Sequence, residues 1–284
     1  MKAAIITGFL LAAAAMAPWA AAASEPPQRI VSINLCADEL IVALADPGQI
    51  GALSIYATDP TLSSVADAAK TFRHDAAAAE TVVDLHPDLV LAGRFTKQAT
   101  RDMLARLGYR VVLLDAARSI ADSEAQIRQV AALVGHAERG ETLIARIEAA
   151  KANATTAAAA APLRPSAAVY QRRGYVTGED TLTGELLSIA GFTDGGGALA
   201  GSTGGFVPLE RLIDHPPDFI VVGASITGPV DQGTALLAHP ALAVVFPPER
   251  RIVLPEKLTV CGGPSLPDAL DWLAGEAKRV QTAP

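Results

Sequence analysis

Glu80-Thr-Val-Val-Asp84-Leu-His-Pro87-Asp88-Leu-Val-Leu-Ala-Gly93 returns later in the chain as Glu210-Arg-Leu-Ile-Asp214-His-Pro-Pro217-Asp218-Phe-Ile-Val-Val-Gly223. Glu, Asp, Pro, Asp and Gly recur at identical spacing, with apolar residues matching between them. Each copy reads as a short helix, a Pro-Asp turn and a strand. The proline keeps the residue before it out of the helical region, and an all-apolar strand suits the middle of a parallel sheet. An internal repeat of one supersecondary unit predicts two equivalent lobes.

Around the repeat, short apolar runs alternate with longer helical patterns, the order that builds parallel sheets from βαβ units. The first copy is framed by strands at 29–33, 50–54 and 110–114, and by helices at 38–45 and 100–107. Strands at 166–170 and 251–254 and helices at 182–190 and 268–280 frame the second. Between them, 119–134 reads as a helix stopped by Gly135. From Ala137 to Ala160 the residues Leu143, Ile144, Ile147 and Ala150 keep helical spacing. Alanine dominates there and has the best helix propensity, whereas flexible linkers are rich in Gly and Ser. Pro162-Leu163-Arg164-Pro165 ends the run. The prediction is an α/β fold of two similar lobes, each a mostly parallel sheet flanked by helices, joined by one long helix. The lobes are expected over 24–118 and 162–284, with the helical segment over 119–161.

Lys2, the uncharged apolar run to Met16 and the small residues Ala20 to Ala23 predict a secretory signal peptide over 1–23, cleaved near Ala23. The apolar core is shorter than the roughly 20 residues a membrane-spanning helix needs. The formal charge of −7 is spread without acidic or basic blocks, which argues against a nucleic-acid surface. Two cysteines are too few for a disulfide scaffold. Cys36 follows the first strand of one lobe and Cys261 the last strand of the other, so by strand-end geometry both face the region between lobes. Three states compete for them: a disulfide, which an oxidising compartment favours, two separately buried thiols, and a thiol pair touching cargo or a metal.

The opening Arg29-Ile-Val-Ser-Ile-Asn-Leu-Cys36, the repeated Glu-x-x-x-Asp-x-x-Pro-Asp blocks and the Cys261-Gly-Gly-Pro264 segment resemble periplasmic substrate-binding proteins of ABC importers for cobalamin, ferric siderophores and haem. The resemblance runs from Arg29 to Ala274. It implies a monomer in the periplasm, a single interlobe helix, small hinge motion and a metal-chelate ligand held between the lobes. It further implies delivery to a membrane permease and, through it, to an ATPase, with Glu80 and Glu210 docking onto permease arginines. Helix-dipole pairing is the simpler alternative for those two glutamates. No catalytic residue and no cofactor is expected.

Open parallel sheets bind ligands beyond the carboxyl ends of their strands. The residues there are Asn34 to Cys36, Tyr56, Arg94 and Phe95 in the first lobe, and Tyr170 to Arg172, Ser225 and Lys257 to Thr259 in the second. Tyr175 and Phe206 are expected in glycine-bearing loops nearby. Aromatics make up only 5% of the chain, so their gathering at strand ends carries weight. Flat rings with cations suit a large, partly anionic chelate. The glycines at 195–197 and 201–205 read as a mobile loop, since no Lys-Ser/Thr follows them. Of five histidines only His74, beside Arg73, is a candidate ligand, and none pairs at metal-binding spacing. That disfavours the alternative of a free zinc or manganese carrier. A secreted α/β hydrolase, the alternative of another class, needs a nucleophile elbow that is not found.

Overall fold

The computed structural model describes residues 25–75, 78–223 and 233–281; the segment 1–23 read as a signal peptide and Ser225 lie outside them. Among the described residues no helix is long and apolar enough to cross a membrane.

The first lobe runs β1 (Ile30–Ser32), α1 (Leu35–Leu44), β2 (Ile50–Ser54), α2 (Ala66–Ala69), β3 (His74–Asp75), α3 (Ala79–Asp84), β4 (Leu89–Gly93), α4 (Gln98–Arg106) and β5 (Val111–Leu114). Its strands lie in the order β3-β2-β1-β4-β5 and every pair is parallel. Helices α5 (Ile120–Leu133) and α6 (Ala137–Ala160) follow. The second lobe runs β6 (Ser166–Tyr170), β7 (Tyr175–Thr177), α7 (Leu182–Ile189), β8 (Thr193–Asp194), α8 (Gly197–Ala200), β9 (Gly205–Phe206), α9 (Leu209–Asp214), β10 (Phe219–Gly223), α10 (Pro240–Val245), β11 (Arg251–Leu254) and α11 (Leu266–Gln281). The order there is β11-β10-β6-β7-β9, with β8 also pairing β6.

The repeat forms α3–β4 in one lobe and α9–β10 in the other, and its invariant residues do the same work twice. Strand β4 lies between β1 and β5, and β10 lies between β6 and β11. The Asp88 carboxylate accepts the backbone N–H groups of Gln28 at 2.6 Å and Arg29 at 3.0 Å, where the chain enters β1. Asp218 accepts the Ser166 N–H at 2.7 Å and its hydroxyl at 2.8 Å, where the chain enters β6. These charge-assisted bonds pin the first strand of each lobe to its neighbour. The terminal glycines leave room for a polar side chain: a Cβ at Gly93 would collide with the Asn34 amide, and one at Gly223 with the Glu256 carboxylate.

The second sheet departs from the first after β6. Only four residues, 171–174, separate β6 from β7, which is too short for a parallel crossover, so the two pair antiparallel. Arg173 and Gly174 take positive φ values of 60° and 76° in that turn. Strand β9 then pairs antiparallel with β7, which places Tyr175 and Phe206 opposite each other in strands. This corrects the expectation of loops for both. The glycine-rich stretch is also ordered: Asp194 accepts the N–H groups of Gly196 and Gly197, each at 2.9 Å, and α8 and β9 follow.

Helix α6 buries Gly140, Leu143, Ile144, Ile147, Ala150 and Ala154, a single stripe at helical spacing. It packs on α5 and α11. A Cβ on Gly140 would come 2.7 Å from that of Ala131, so the glycine sets the approach of α6 to α5. One continuous apolar core runs from Ile30 and Leu40 through Ile127 and Ile147 to Phe219, Ile252 and Leu270. The helices therefore act as a shared wall rather than as a stalk between separate cores. Sliding one lobe over the other would expose that wall to water, which opposes large hinge motion.

Candidate functional site

At the carboxyl ends of β1, β2 and β4 lies a hollow of about 730 Å³. Asn34, Tyr56 and Phe95 line it together with Ile55, Glu80, Lys97 and Met103. At the ends of β6, β10 and β11 a second hollow of about 300 Å³ is lined by Gln171, Arg172, Glu256, Thr259 and Val260. Both volumes fall in the range of small-molecule sites. Cys36 and Cys261 form a disulfide with Cα atoms 5.2 Å apart, inside the span a disulfide tolerates. Cys36 follows Asn34 and Leu35 of the first hollow, and Cys261 follows Thr259 and Val260 of the second. The bridge thus ties together two segments that lie next in sequence to the linings of the two hollows.

A further contact holds α5 to the second lobe. The Gly263 N–H donates to Ser123 Oγ at 2.7 Å in a buried position, and Gly263 takes φ +88° to reach it. Lys70 first, and the Lys257 charge more weakly, hold the Asp67 carboxyl below its usual range, so Lys257 of the second lobe lies within electrostatic reach of α2. Lys257 does not line either hollow.

The first hollow presents unusual apolar exposure. Phe95 is 86% exposed, and Tyr56 and Ile55 are each 54% exposed. Large rings left in water next to a cavity are the mark of a surface awaiting a partner. Asn34 caps α1, accepting the N–H groups of Cys36 at 3.1 Å and Ala37 at 3.2 Å, so its carbonyl is committed and only its amide NH2 remains for a ligand. In the second lobe, Tyr175 and Phe206 meet edge to face with centroids 5.4 Å apart, and Phe206 is 73% exposed. This pair sits beside the β6 turn rather than in the hollow itself.

Tyr170 borders the second hollow but has no solvent-exposed surface, its ring being packed in the second lobe's core. Burial first, and the Glu210 charge second, push its phenol above the usual range. Arg94 does not line the first hollow; its guanidinium is turned toward Asp115, 3.9 Å away. His74 holds the Ala69 carbonyl through Nε2 at 2.9 Å. Among the described residues no three His, Cys, Asp or Glu side chains converge as a metal-ligand set. Glu80 and Glu210 are both exposed in the first turns of α3 and α9. Glu210 lies in its own groove with Arg211 and Asp214.

Sequence reading found Thr259 but missed Ile55, Lys97, Met103 and Val260. Lys97 lies two residues past Phe95, within reach of the same strand-end rule. Met103 carried a signal too: Met103 and Leu104 are adjacent apolar residues on one helix, and only Leu104 is buried.

Comparison with known proteins places the chain. A family model described as periplasmic binding protein matches residues 30–245. A cobalamin-binding protein of Halobacterium salinarum is 26% identical over 217 residues, which are 75% of this chain and 58% of that protein, so the chain spans little more than half the length of this curated relative. The periplasmic heme-binding protein RhuT from Roseiflexus sp. RS-1, in apo form, superposes with a TM-score of 0.72 at 24% identity, covering 90% of this chain and 98% of that one. A periplasmic heme-binding protein from Pseudomonas aeruginosa gives 0.71 at 25% identity, covering 91% and 94%. With a family match over most of its length and the fold to accompany it, the chain belongs to the periplasmic binding protein family.

Proposed function

We propose that this protein is the periplasmic substrate-binding component of an ABC importer and captures a metal chelate of the tetrapyrrole or siderophore kind. The observation that carries the reading is the pair of hollows at the strand ends of both lobes, with the interlobe disulfide next to their lining segments and the exposed rings of Phe95 and Tyr56 lining the first. An apolar first hollow and an Arg172-bearing second one suit a flat ligand with an apolar face and an anionic edge. Heme, for which two relatives are named, is a ligand of that description; cobalamin, for which another is named, shares the large ring but carries amides at its edge. The protein performs no catalysis in this reading: it sequesters its cargo, and Glu80 and Glu210 present the loaded lobes to the permease.

Variants with cyanocobalamin, haemin and a ferric hydroxamate as probes test the cleft. For the probe that binds, Phe95→Ala should weaken affinity by about 1 to 2 kcal/mol through lost ring contact. Arg172→Ala should cost about 1.5 to 3 kcal/mol if it meets an anionic group. Arg94→Ala, turned to Asp115, should change affinity less than either. Equal losses for Arg94→Ala and Phe95→Ala, or no loss for Phe95→Ala and Arg172→Ala, would mean the cleft lies elsewhere.

A further inference from the structure

Beneath the first hollow lies a carboxylate that no ligand can touch. Asp38, in the first turn of α1, has no exposed surface. Its Oδ1 accepts the Ser54 N–H at 3.1 Å, and its Oδ2 accepts the Ser54 hydroxyl at 2.5 Å. Ser54 Oγ in turn accepts the Tyr56 N–H at 3.3 Å and caps the single turn Ile55–Thr58. That turn carries Ile55 and Tyr56 into the hollow. We propose that Asp38 is a positioning residue for the ligand: through Ser54 it sets the turn that presents Tyr56, and its protonation state tunes affinity. The proposal rests on the cleft reading given above.

The chemistry of the pair explains why an acid stands here. Two donors on one residue, an N–H and an O–H, need two acceptors side by side, which a carboxylate supplies and an amide does not. Burying a carboxylate is costly, and that cost makes its proton sensitive to conditions. Burial raises the Asp38 carboxyl most, the Ser32 and Ser54 bonds oppose this, and Glu39 adds a smaller upward push, leaving it at about 7. Few other charges face it. Strands β1, β2 and β4 bring no titratable side chain, and the Ile55–Thr58 turn brings only Tyr56. Helix α5 buries Ile120, Ser123 and Ile127, while Asp122, Glu124 and Arg128 lie off that buried face. Glu39, also raised to about 7 by burial, is turned to the Ser64 N–H at 2.7 Å and does not line the hollow. Glu39 is therefore the control.

The sign follows from the bonds. Ionised Asp38 accepts both Ser54 donors with charge assistance. Protonation turns one acceptor oxygen into a donor, leaves the Ser54 hydroxyl proton without its acceptor, and loosens the turn. Affinity should fall about fivefold as pH drops from 8 to 6, with the ionised form the tighter binder. Asp38→Asn mimics the neutral acid, so it should bind at the wild-type low-pH level throughout.

The test begins without ligand. In the ligand-free protein the Tyr56 amide resonance should titrate with a midpoint of about 7. It should be flat in Asp38→Asn and Ser54→Ala, and still titrate in Glu39→Gln. A Tyr56 amide that does not titrate, or titrates alike in Asp38→Asn, overturns the coupling whatever the cargo is. The second arm compares variant and wild type with haemin or cyanocobalamin at each pH, a ratio that cancels the probe's own titration. A flat profile for Asp38→Asn beside one that persists in Glu39→Gln, with its midpoint moved slightly to lower pH, supports the proposal, and parallel profiles for Asp38→Asn and wild type refute it. If Tyr56→Ala and Phe95→Ala leave probe binding untouched, the cleft reading falls and the affinity clause with it, while the Ser54 coupling stands or falls on the first arm.

Discussion

Replacing Glu80 and Glu210 together by alanine should abolish import while leaving ligand affinity within about twofold of wild type. The expectation comes from their equivalence: each is the second residue of a six-residue helix, α3 or α9, at the same place in its lobe, and each is exposed. Truncating one partner of a hydrogen-bonded charge pair at an interface costs about 2 to 5 kcal/mol, so losing two would reduce permease engagement by several orders of magnitude. The alternative is a local role, since carboxylates stabilise helix N-termini by about 0.3 to 1 kcal/mol. That role would appear as a small loss of stability with uptake retained. Glu80 also lines the first hollow. Glu210→Ala alone is thus the cleaner single variant, and loss of affinity in it would point away from docking. Uptake into cells, read beside affinity for the purified protein, separates the outcomes.

Replacing Cys36 and Cys261 together by serine should lower the unfolding free energy by about 2 to 5 kcal/mol. The bridge closes a sequence separation of 225 residues. In the chain-entropy view a loop that long contributes about 5 kcal/mol, an upper figure because measured gains run lower. For a protein of this size the loss corresponds to about 4 to 20 °C in melting temperature. The shared core between the lobes and the Gly263–Ser123 bond remain, so the variant should fold. Its two hollows would no longer be held at one spacing, and ligand dissociation should quicken. Calorimetry of the serine variant against the untreated protein checks the stability, and stopped-flow release checks the rate. An unchanged melting temperature would show that the disulfide does not form in the mature protein.

The repeat made the architecture legible because each of its invariant residues has a local task. Pro87 and Pro217 stop a helix; Asp88 and Asp218 hold the entering strand; Gly93 and Gly223 admit Asn34 and Glu256. Helix α6 was legible to its ends because an apolar stripe and a proline break delimit it. Strands β7 and β9 were not: two or three residues carry no period, and antiparallel pairing there depends on Arg173 and Gly174 turning the chain. The site was half legible. Strand-end reasoning finds Tyr56 and Phe95, but side-chain direction decides the rest. Tyr170, last residue of its strand, points into the core, and Arg94 turns to Asp115. The shared wall of α5, α6 and α11 was hidden because apolar periodicity shows which face is buried and not what covers it.

Native mass spectrometry of the protein released from the periplasm, with its disulfide intact, tests the central claim most directly. The account predicts one non-covalent metal chelate per chain, restored to the stripped protein by the same compound and weakened by Phe95→Ala. A chain released without any adduct that fails to take up cyanocobalamin, haemin or a ferric hydroxamate at micromolar concentration would contradict it.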